Sequence, residues 1–181
     1  MKIIETGIEG VVLMEPQVFG DERGFFFESF NSRRWKDAMG SPPGFVQENH
    51  SASVRNVVRG LHYQIRQPQG KLVRAIVGEI FDVAVDIRRA SPTFGKWVGY
   101  RLSAANKRQL WVPAGMAHGF AVLSPRAEVL YLTDDYYAPE HERAIIWNDP
   151  EIGIDWPLTS EPLLSDKDRK APPLREAELY P

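Results

Sequence analysis

Three residue types suited to proton transfer at carbon fall close together in this chain. His62 follows Arg59 by three positions in NVVRGLHYQ (56–64), and Lys71 opens the next apolar run, GKLVRAIVG (70–78). Removing a proton from a carbon beside a carbonyl requires a base within hydrogen-bond reach and a donor for the enolate oxygen. Histidine suits the base because its ordinary pKa lies near neutrality. Lysine suits the enolate as a compact cation with mobile donors. Inverting the carbon also requires an acid on the opposite face, and a tyrosine hydroxyl on its rigid ring can serve. Tyr131, Tyr136 and Tyr137 lie too close in sequence for residue type to choose among them.

Other polar residues cluster around these three. QENHS (47–51) holds Gln47, Glu48, Asn49 and His50, and PAGMAHGF (113–120) sets His118 after a proline–glycine turn. GDERGFFFESF (20–30) places Arg23 and Glu28 on either side of three phenylalanines. Arg23 can instead pair with Asp21 or Glu22, and the phenylalanines can be plain core or a stacking platform. Metal chemistry is the alternative for the whole cluster. A barrel of this kind binds metal through two histidines spaced by one residue and a later glutamate. Here the position two after His62 is Gln64, and the glutamate region reads IRQPQGK. The ligand set is broken, so no metal or other cofactor is expected.

The elements that must position these side chains are mostly short strands. Branched and aromatic runs at 10–15, 24–30, 54–64, 70–78, 79–87, 96–103, 108–113, 119–124, 127–134 and 144–149 alternate with glycine and proline turns. That rhythm predicts a mainly β antiparallel sandwich or barrel with a few short helices. SRRWKDAM (32–39) predicts a helix, capped by Asn31 or Ser32 and ended at Gly40. A second short helix is predicted to open at Ser165, before Pro172 and Pro173. In EIFDVAVDI (79–87), Phe81, Val83, Val85 and Ile87 share one face while Asp82, Ala84 and Asp86 share the other. The acidic face reads as a cavity wall, with a solvated sheet exterior as the alternative. Arg59 and His62 have opposite strand parity, and a bulge at Gly60 would turn both toward one cavity.

Composition sets the outer bounds. The chain has 181 residues, 43% hydrophobic and 25% charged, enough for one domain with a substantial core. Residues 161–181 are polar and proline-rich, and are expected to wrap the outside of the body. Net charge is −2, so no global basic field points to nucleic acid, and any bound anion must be met by a local cation cluster. With no cysteine there is no thiol nucleophile or zinc–thiolate site. No segment reads as a signal peptide or membrane span, which points to a cytoplasmic protein without a membrane partner.

GDERGFFFESF, FVQENHSASVRNVVRGLHYQ, QGKLVRAIVGEIFDVAVDIRRASPTFGKWVG, LSAANKRQLWVPAGMAHGF and WNDPEIGIDWP closely resemble the dTDP-4-dehydrorhamnose 3,5-epimerase family, from about Ile3 to Leu174. The resemblance implies a double-stranded β-helix (cupin-like jelly roll), a homodimer and a dTDP-sugar substrate. It implies conversion of dTDP-4-dehydro-6-deoxy-D-glucose to dTDP-4-dehydro-L-rhamnose by inversion at carbons 3 and 5, without metal. It makes His62 the base, Asp168 its orienting partner with Asp82 as rival, Tyr131 the opposite-face acid and Lys71 the enolate stabiliser. Tyr137 remains a candidate for the acid or for holding the sugar. Substrate binding carries over to Arg23, Glu28, Gln47, Asn49, Arg59, His118, Glu142 and Lys167. Relatives that invert carbon 3 alone, and a catalytically silent nucleotide-sugar binding module, remain the alternatives.

Overall fold

Alternating apolar residues build two antiparallel sheets that face one another. The computed structural model describes residues 1–40 and 42–181. The six-stranded sheet runs in the order β1 (Lys2–Glu5), β2 (Val12–Glu15), β10 (Gln109–Val112), β7 (Lys71–Val77), β12 (Arg126–Thr133), β5 (Gln47–Val54). The five-stranded sheet runs β13 (Glu142–Ala144), β6 (Val58–Gln64), β11 (Met116–Val122), β8 (Glu79–Asp86), β9 (Trp97–Ser103). From β5 onward the chain changes sheet at every step except β8 to β9. That winding is a double-stranded β-helix, the cupin-like jelly roll, and the protein is mainly β.

Each sheet buries apolar side chains on both faces. Between the sheets, Leu13, Val73, Leu110 and Val129 meet Ile80, Ala84, Leu102 and Phe120. Outside the six-stranded sheet, helix α1 (Ser32–Met39) lays Trp35 edge-on to Trp111, with ring centroids 5.0 Å apart. Asn31 caps that helix through its side chain, and Gly40 ends it at φ 86°. Outside the five-stranded sheet, Val83, Val85 and Ile87 are covered by Trp156, Leu174, Ala177 and Tyr180. The polar C-terminal stretch thus contributes an apolar stripe of its own. The other face of β8, carrying Asp82 and Ala84, points into the barrel and is fully buried.

Several elements differ from the sequence reading. The run 54–64 is not one strand: β5 ends at Val54, Asn56 turns the chain at φ 63°, and β6 starts at Val58. The run 144–149 keeps little strand, because Ile146 turns its N–H to Pro172 O (2.9 Å) instead of to β6. Strand β5 was not expected, and neither were β1 and β3 (Val18–Asp21). β3 pairs only with β4 (Gly24–Phe27), as a hairpin bonded to neither sheet.

The bulge that positions the site lies on β6. His118 of β11 opposes His62, but Phe120, two residues on, opposes Arg59, three residues back. β6 therefore carries one extra residue, and Arg59 and His62 both face inward with Phe120. Gly60 sits there at φ 116°. A Cβ at Gly60 would lie 2.6 Å from Gly119 Cα and 2.6 Å from His118 O, and one at Gly119 would lie 2.7 Å from Arg59 O. Gly60→Ala is expected to cost roughly 2 kcal/mol or more, read as a lower urea midpoint, with the His62 ring displaced in a crystal structure of the variant.

Candidate active site

One open end of the barrel holds a cavity of about 320 Å3, lined by residues that include Gln47, Asn49, His62, Lys71, Tyr131, Tyr137 and Glu142. Its two walls come from different sheets. His62 and Glu142 stand on β6 and β13, while Tyr131, Lys71, Gln47 and Asn49 stand on β12, β7 and β5. Tyr131 continues the inward row of Ala127 and Val129, and Lys71 that of Val73 and Ala75. The base candidate and the acid candidate therefore approach the same space from opposed sides.

His62 is oriented from below by the C-terminal wrap. Helix α2 (Asp166–Arg169) begins at the cap Ser165 and carries Asp168, which is buried. Asp168 Oδ1 accepts a hydrogen bond from His62 Nε2 at 2.5 Å, and its Oδ2 accepts from Ser165 Oγ at 2.8 Å. Burial works to raise the Asp168 carboxyl, but the bond and charge of His62, Ser165 and the Lys167 charge outweigh it and leave it below the usual range. An ionised acceptor at Nε2 keeps the imidazole proton there and leaves the lone pair on Nδ1. The rival partner, Asp82, is occupied elsewhere: its Oδ1 accepts from His118 Nε2 at 2.9 Å.

The opposed wall supplies an acid and a cation. Burial pushes the Tyr131 hydroxyl up, helped by Glu142 and opposed by Arg59, so it stays protonated as a donor. Burial pushes Lys71 down to about 8 against the attraction of Glu142 and Asp82. Tyr137 donates to Glu142 Oε2 at 2.7 Å, and Lys167 forms an ion pair with the other Glu142 oxygen. Burial raises the Glu142 carboxyl, but the Lys167 and Tyr137 bonds and nearby positive charge carry it below its ordinary value. Arg59 donates to Ser53 Oγ at 3.0 Å and lies in the exposed approach to the cavity.

Not every residue singled out from the sequence meets here. His62, Lys71, Tyr131, Gln47, Asn49 and Glu142 line the cavity, with Asp168, Lys167, His118 and Arg59 in contact with them or on the adjoining strand rows. Arg23 and Glu28 do not. Arg23 is largely exposed and bonded to Asp21, and Glu28 bonds Asn31 and Arg34. Their hairpin rests on outward side chains of the six-stranded sheet region: Arg74 lies over Phe27, and Lys107 lies 3.7 Å from the centre of Phe25.

Gln64 takes a role the sequence did not reveal. Its amide nitrogen donates to the Gln67 and Tyr136 carbonyls, and its oxygen accepts the Ala138 N–H at 2.8 Å. With Gln69 on Asp135 O and Gln47 on the Tyr137 N–H, it fixes the 134–138 loop that carries Tyr137. A glutamine two residues after a strand histidine was visible as a missing metal ligand; that it holds a loop needed coordinates.

A base on one wall and an acid on the other let a proton leave a carbon as another arrives from behind, which on a jelly roll is the design of a sugar epimerase. The model of the family described as dTDP-4-dehydrorhamnose 3,5-epimerase matches residues 5–176. The enzyme of that name from Pseudomonas aeruginosa is 65% identical over 181 residues, covering 100% of both chains. The one from Shigella flexneri is 56% identical, covering 99% of each. A crystal structure of dTDP-6-deoxy-D-glucose-3,5-epimerase from Legionella pneumophila, in complex with dTDP-4-keto-L-rhamnose, superposes with a TM-score of 0.94 at 53% identity, covering 97% of this chain and 93% of that one. The chain belongs to the dTDP-4-dehydrorhamnose 3,5-epimerase family, and it is an isomerase.

Lys71 is expected to give that activity an alkaline limit. Its ammonium is present below a pH of about 8 and lost above it, so pH–rate profiles are expected to fall through that value. Lys71→Arg, whose guanidinium stays charged, removes that fall, and Lys71→Ala lowers kcat about 10²-fold.

Proposed function

We propose that the protein converts dTDP-4-dehydro-6-deoxy-D-glucose to dTDP-4-dehydro-L-rhamnose. The observation that carries this is the His62–Asp168 pair facing Tyr131 across one cavity. His62 Nδ1 takes the proton from carbon 3, the electron pair moves onto the carbon 4 carbonyl oxygen, and Lys71 meets the negative charge that forms there. Tyr131 returns a proton from the other face. His62 is then protonated and Tyr131 ionised, so solvent must restore both before carbon 5 is inverted in the same way. Tyr131 is the better acid than Tyr137 because the Tyr137 hydroxyl is already committed to Glu142. Positioned acid–base groups are each worth about 10²–10⁴-fold.

The diphosphate carries about two negative charges and falls to Arg59, whose planar donors suit phosphate oxygens. Gln47, Asn49, His118, Glu142 and Lys167 take the sugar and base. Residues 1–181 work as one domain, and the 161–181 wrap delivers Asp168 to His62. The chemistry calls for no metal or cofactor, and net charge argues against a nucleic-acid partner. No described helix is long and apolar enough to cross a membrane, and a nucleotide-sugar substrate fits a cytoplasmic activity.

A homodimer completes the site. Arg23 and Glu28 suit a nucleotide but sit on a hairpin that rests away from their own cavity. That hairpin bonds to neither sheet and exposes the facing pair Phe19 and Phe26, at 56% and 71%. A second copy of this chain buries that pair and receives Arg23 at its cavity. If so, mixing Arg23→Ala with His62→Ala protomers restores activity, because a mixed dimer rebuilds one intact site. Two inactive parents that stay inactive after exchange, or a monomer by light scattering, would exclude the shared site.

Incubation of the protein with dTDP-4-dehydro-6-deoxy-D-glucose in heavy water is expected to place deuterium at carbons 3 and 5, read by NMR. His62→Ala abolishes exchange at both, and Tyr131→Phe leaves exchange without inversion. Label at carbon 3 alone identifies a 3-epimerase, and dTDP binding without label identifies a silent binding module.

A further inference from the structure

Asp82 is completely buried on β8, an interior strand of the five-stranded sheet, beside the aliphatic core. A carboxylate there is costly unless both oxygens are satisfied. Oδ1 accepts from His118, but Oδ2 has no partner, and among the described residues it is the one buried side-chain oxygen or nitrogen in that condition. Asp86, on the same strand face, shows the contrast: Arg88, Ser91 and Thr93 fill both of its oxygens. Where a buried carboxylate serves only the fold, this protein partners it fully.

Asp82 faces the barrel interior, toward the opposed sheet that carries Lys71. Across the inward face of the sheet, His62, His118 and Ala84 form one cross-strand row, and Arg59, Phe120, Asp82 and Tyr100 form the next. Ala84 is small, so the His118 ring leans diagonally past it to reach Asp82. Lys71 projects toward this face from the opposed sheet, within the field of Asp82. The other charged or titratable groups around Lys71 are Glu142 on β13, Lys167 on α2, His62 and His118 on the facing sheet, Tyr131 on its own sheet, and Asp134 and Tyr137 on the loop.

We propose that Asp82, anchored by His118, is a positioning residue for Lys71: its buried charge holds the ammonium in place at the depth of the cavity, facing the oxygen that becomes negative during proton removal. The two histidine–carboxylate pairs then have separate tasks. His62–Asp168 moves the proton, and His118–Asp82 maintains the cation that makes its removal possible. This rests on the reading of Lys71 as the enolate partner.

Asp82→Asn tests it, since the amide keeps the shape and removes the charge. Loss of one nearby opposite charge lowers a lysine pKa by roughly one unit. From the starting value of about 8, the ammonium fraction at pH 8 falls about fivefold and at pH 6 hardly changes. The expected result is a fivefold loss of kcat at pH 8, near-normal kcat at pH 6 and little change in KM. The Lys71 titration followed by 13Cε NMR moves down by the same amount, without reference to turnover. In the double variant Asp82→Asn, Lys71→Arg, the guanidinium needs no such support and the pH-dependent loss disappears. An unchanged Lys71 titration in Asp82→Asn, or an equal loss at both pH values, overturns the proposal. So does a protonated Asp82 carboxyl in the wild-type protein between pH 6 and 8, seen by 13Cγ NMR, which needs no variant to fold. Failure of the wild-type protein to exchange carbons 3 and 5 would instead sink the epimerase reading and leave the NMR result standing.

Discussion

The site depends on one extra residue in β6. Without the bulge at Gly60, strand alternation would send Arg59 and His62 to opposite faces, one into the barrel and one under the C-terminal wrap. With it, Arg59 and His62 share the interior face of the sheet with His118 and Phe120. The irregularity is feasible only because two glycines meet there, since a Cβ on either would strike the other strand's backbone. The placement of both side chains therefore rests on two glycine hydrogen atoms that stand where side chains would otherwise be.

Around that point, the electrostatics divide by wall. The five-stranded sheet and its wrap supply the carboxylates Asp82, Glu142 and, through α2, Asp168. The six-stranded sheet supplies the buried ammonium and the phenol. Neighbouring groups favour the ionised forms: Lys71 stays largely charged because Glu142 and Asp82 face it, and Glu142 stays ionised because Lys167, Tyr137 and His62 surround it. Water is a poor substitute for such fixed charges, because it must reorganise as the enolate forms and the protein groups need not.

Much of the architecture was legible because apolar alternation marks half-buried strands. The mainly β antiparallel sandwich or barrel, the capped helix after Asn31, the short helix after Ser165 and the inward turn of Asp82 all follow from local pattern and cap chemistry, while the jelly-roll winding came from the family resemblance. β5 was not legible, and the reason is functional. It is an edge strand whose inward residues Gln47, Asn49, Ser51 and Ser53 face the polar end of the barrel, while Glu48 and His50 face solvent. A strand polar on both faces leaves no hydrophobic period to read. The hairpin β3–β4 hid in the opposite way: its phenylalanines look like core, yet three of its rings, Phe19, Phe25 and Phe26, are exposed. The pairing of His62 with Asp168 across 106 positions, and of Asp82 with His118, required the fold; sequence offered both carboxylates and no means to choose.

A barrel whose interior is given partly to charges must find stability elsewhere, and this one finds it outside both sheets. Trp35 packs on Trp111 with Phe30 and Phe45 on one side, while Trp156, Leu174 and Tyr180 cover Val83, Val85 and Ile87 on the other. Burying a large aromatic or aliphatic side chain stabilises by about 1.5–3 kcal/mol, so these outer layers can offset a lone carboxylate oxygen at Asp82. The same layers have a second consequence. Because the wrap that covers the five-stranded sheet also carries Asp168, the segment that stabilises the barrel also fixes the His62 ring. Docking of the last residues on the sheet and formation of the His62–Asp168 pair therefore go together.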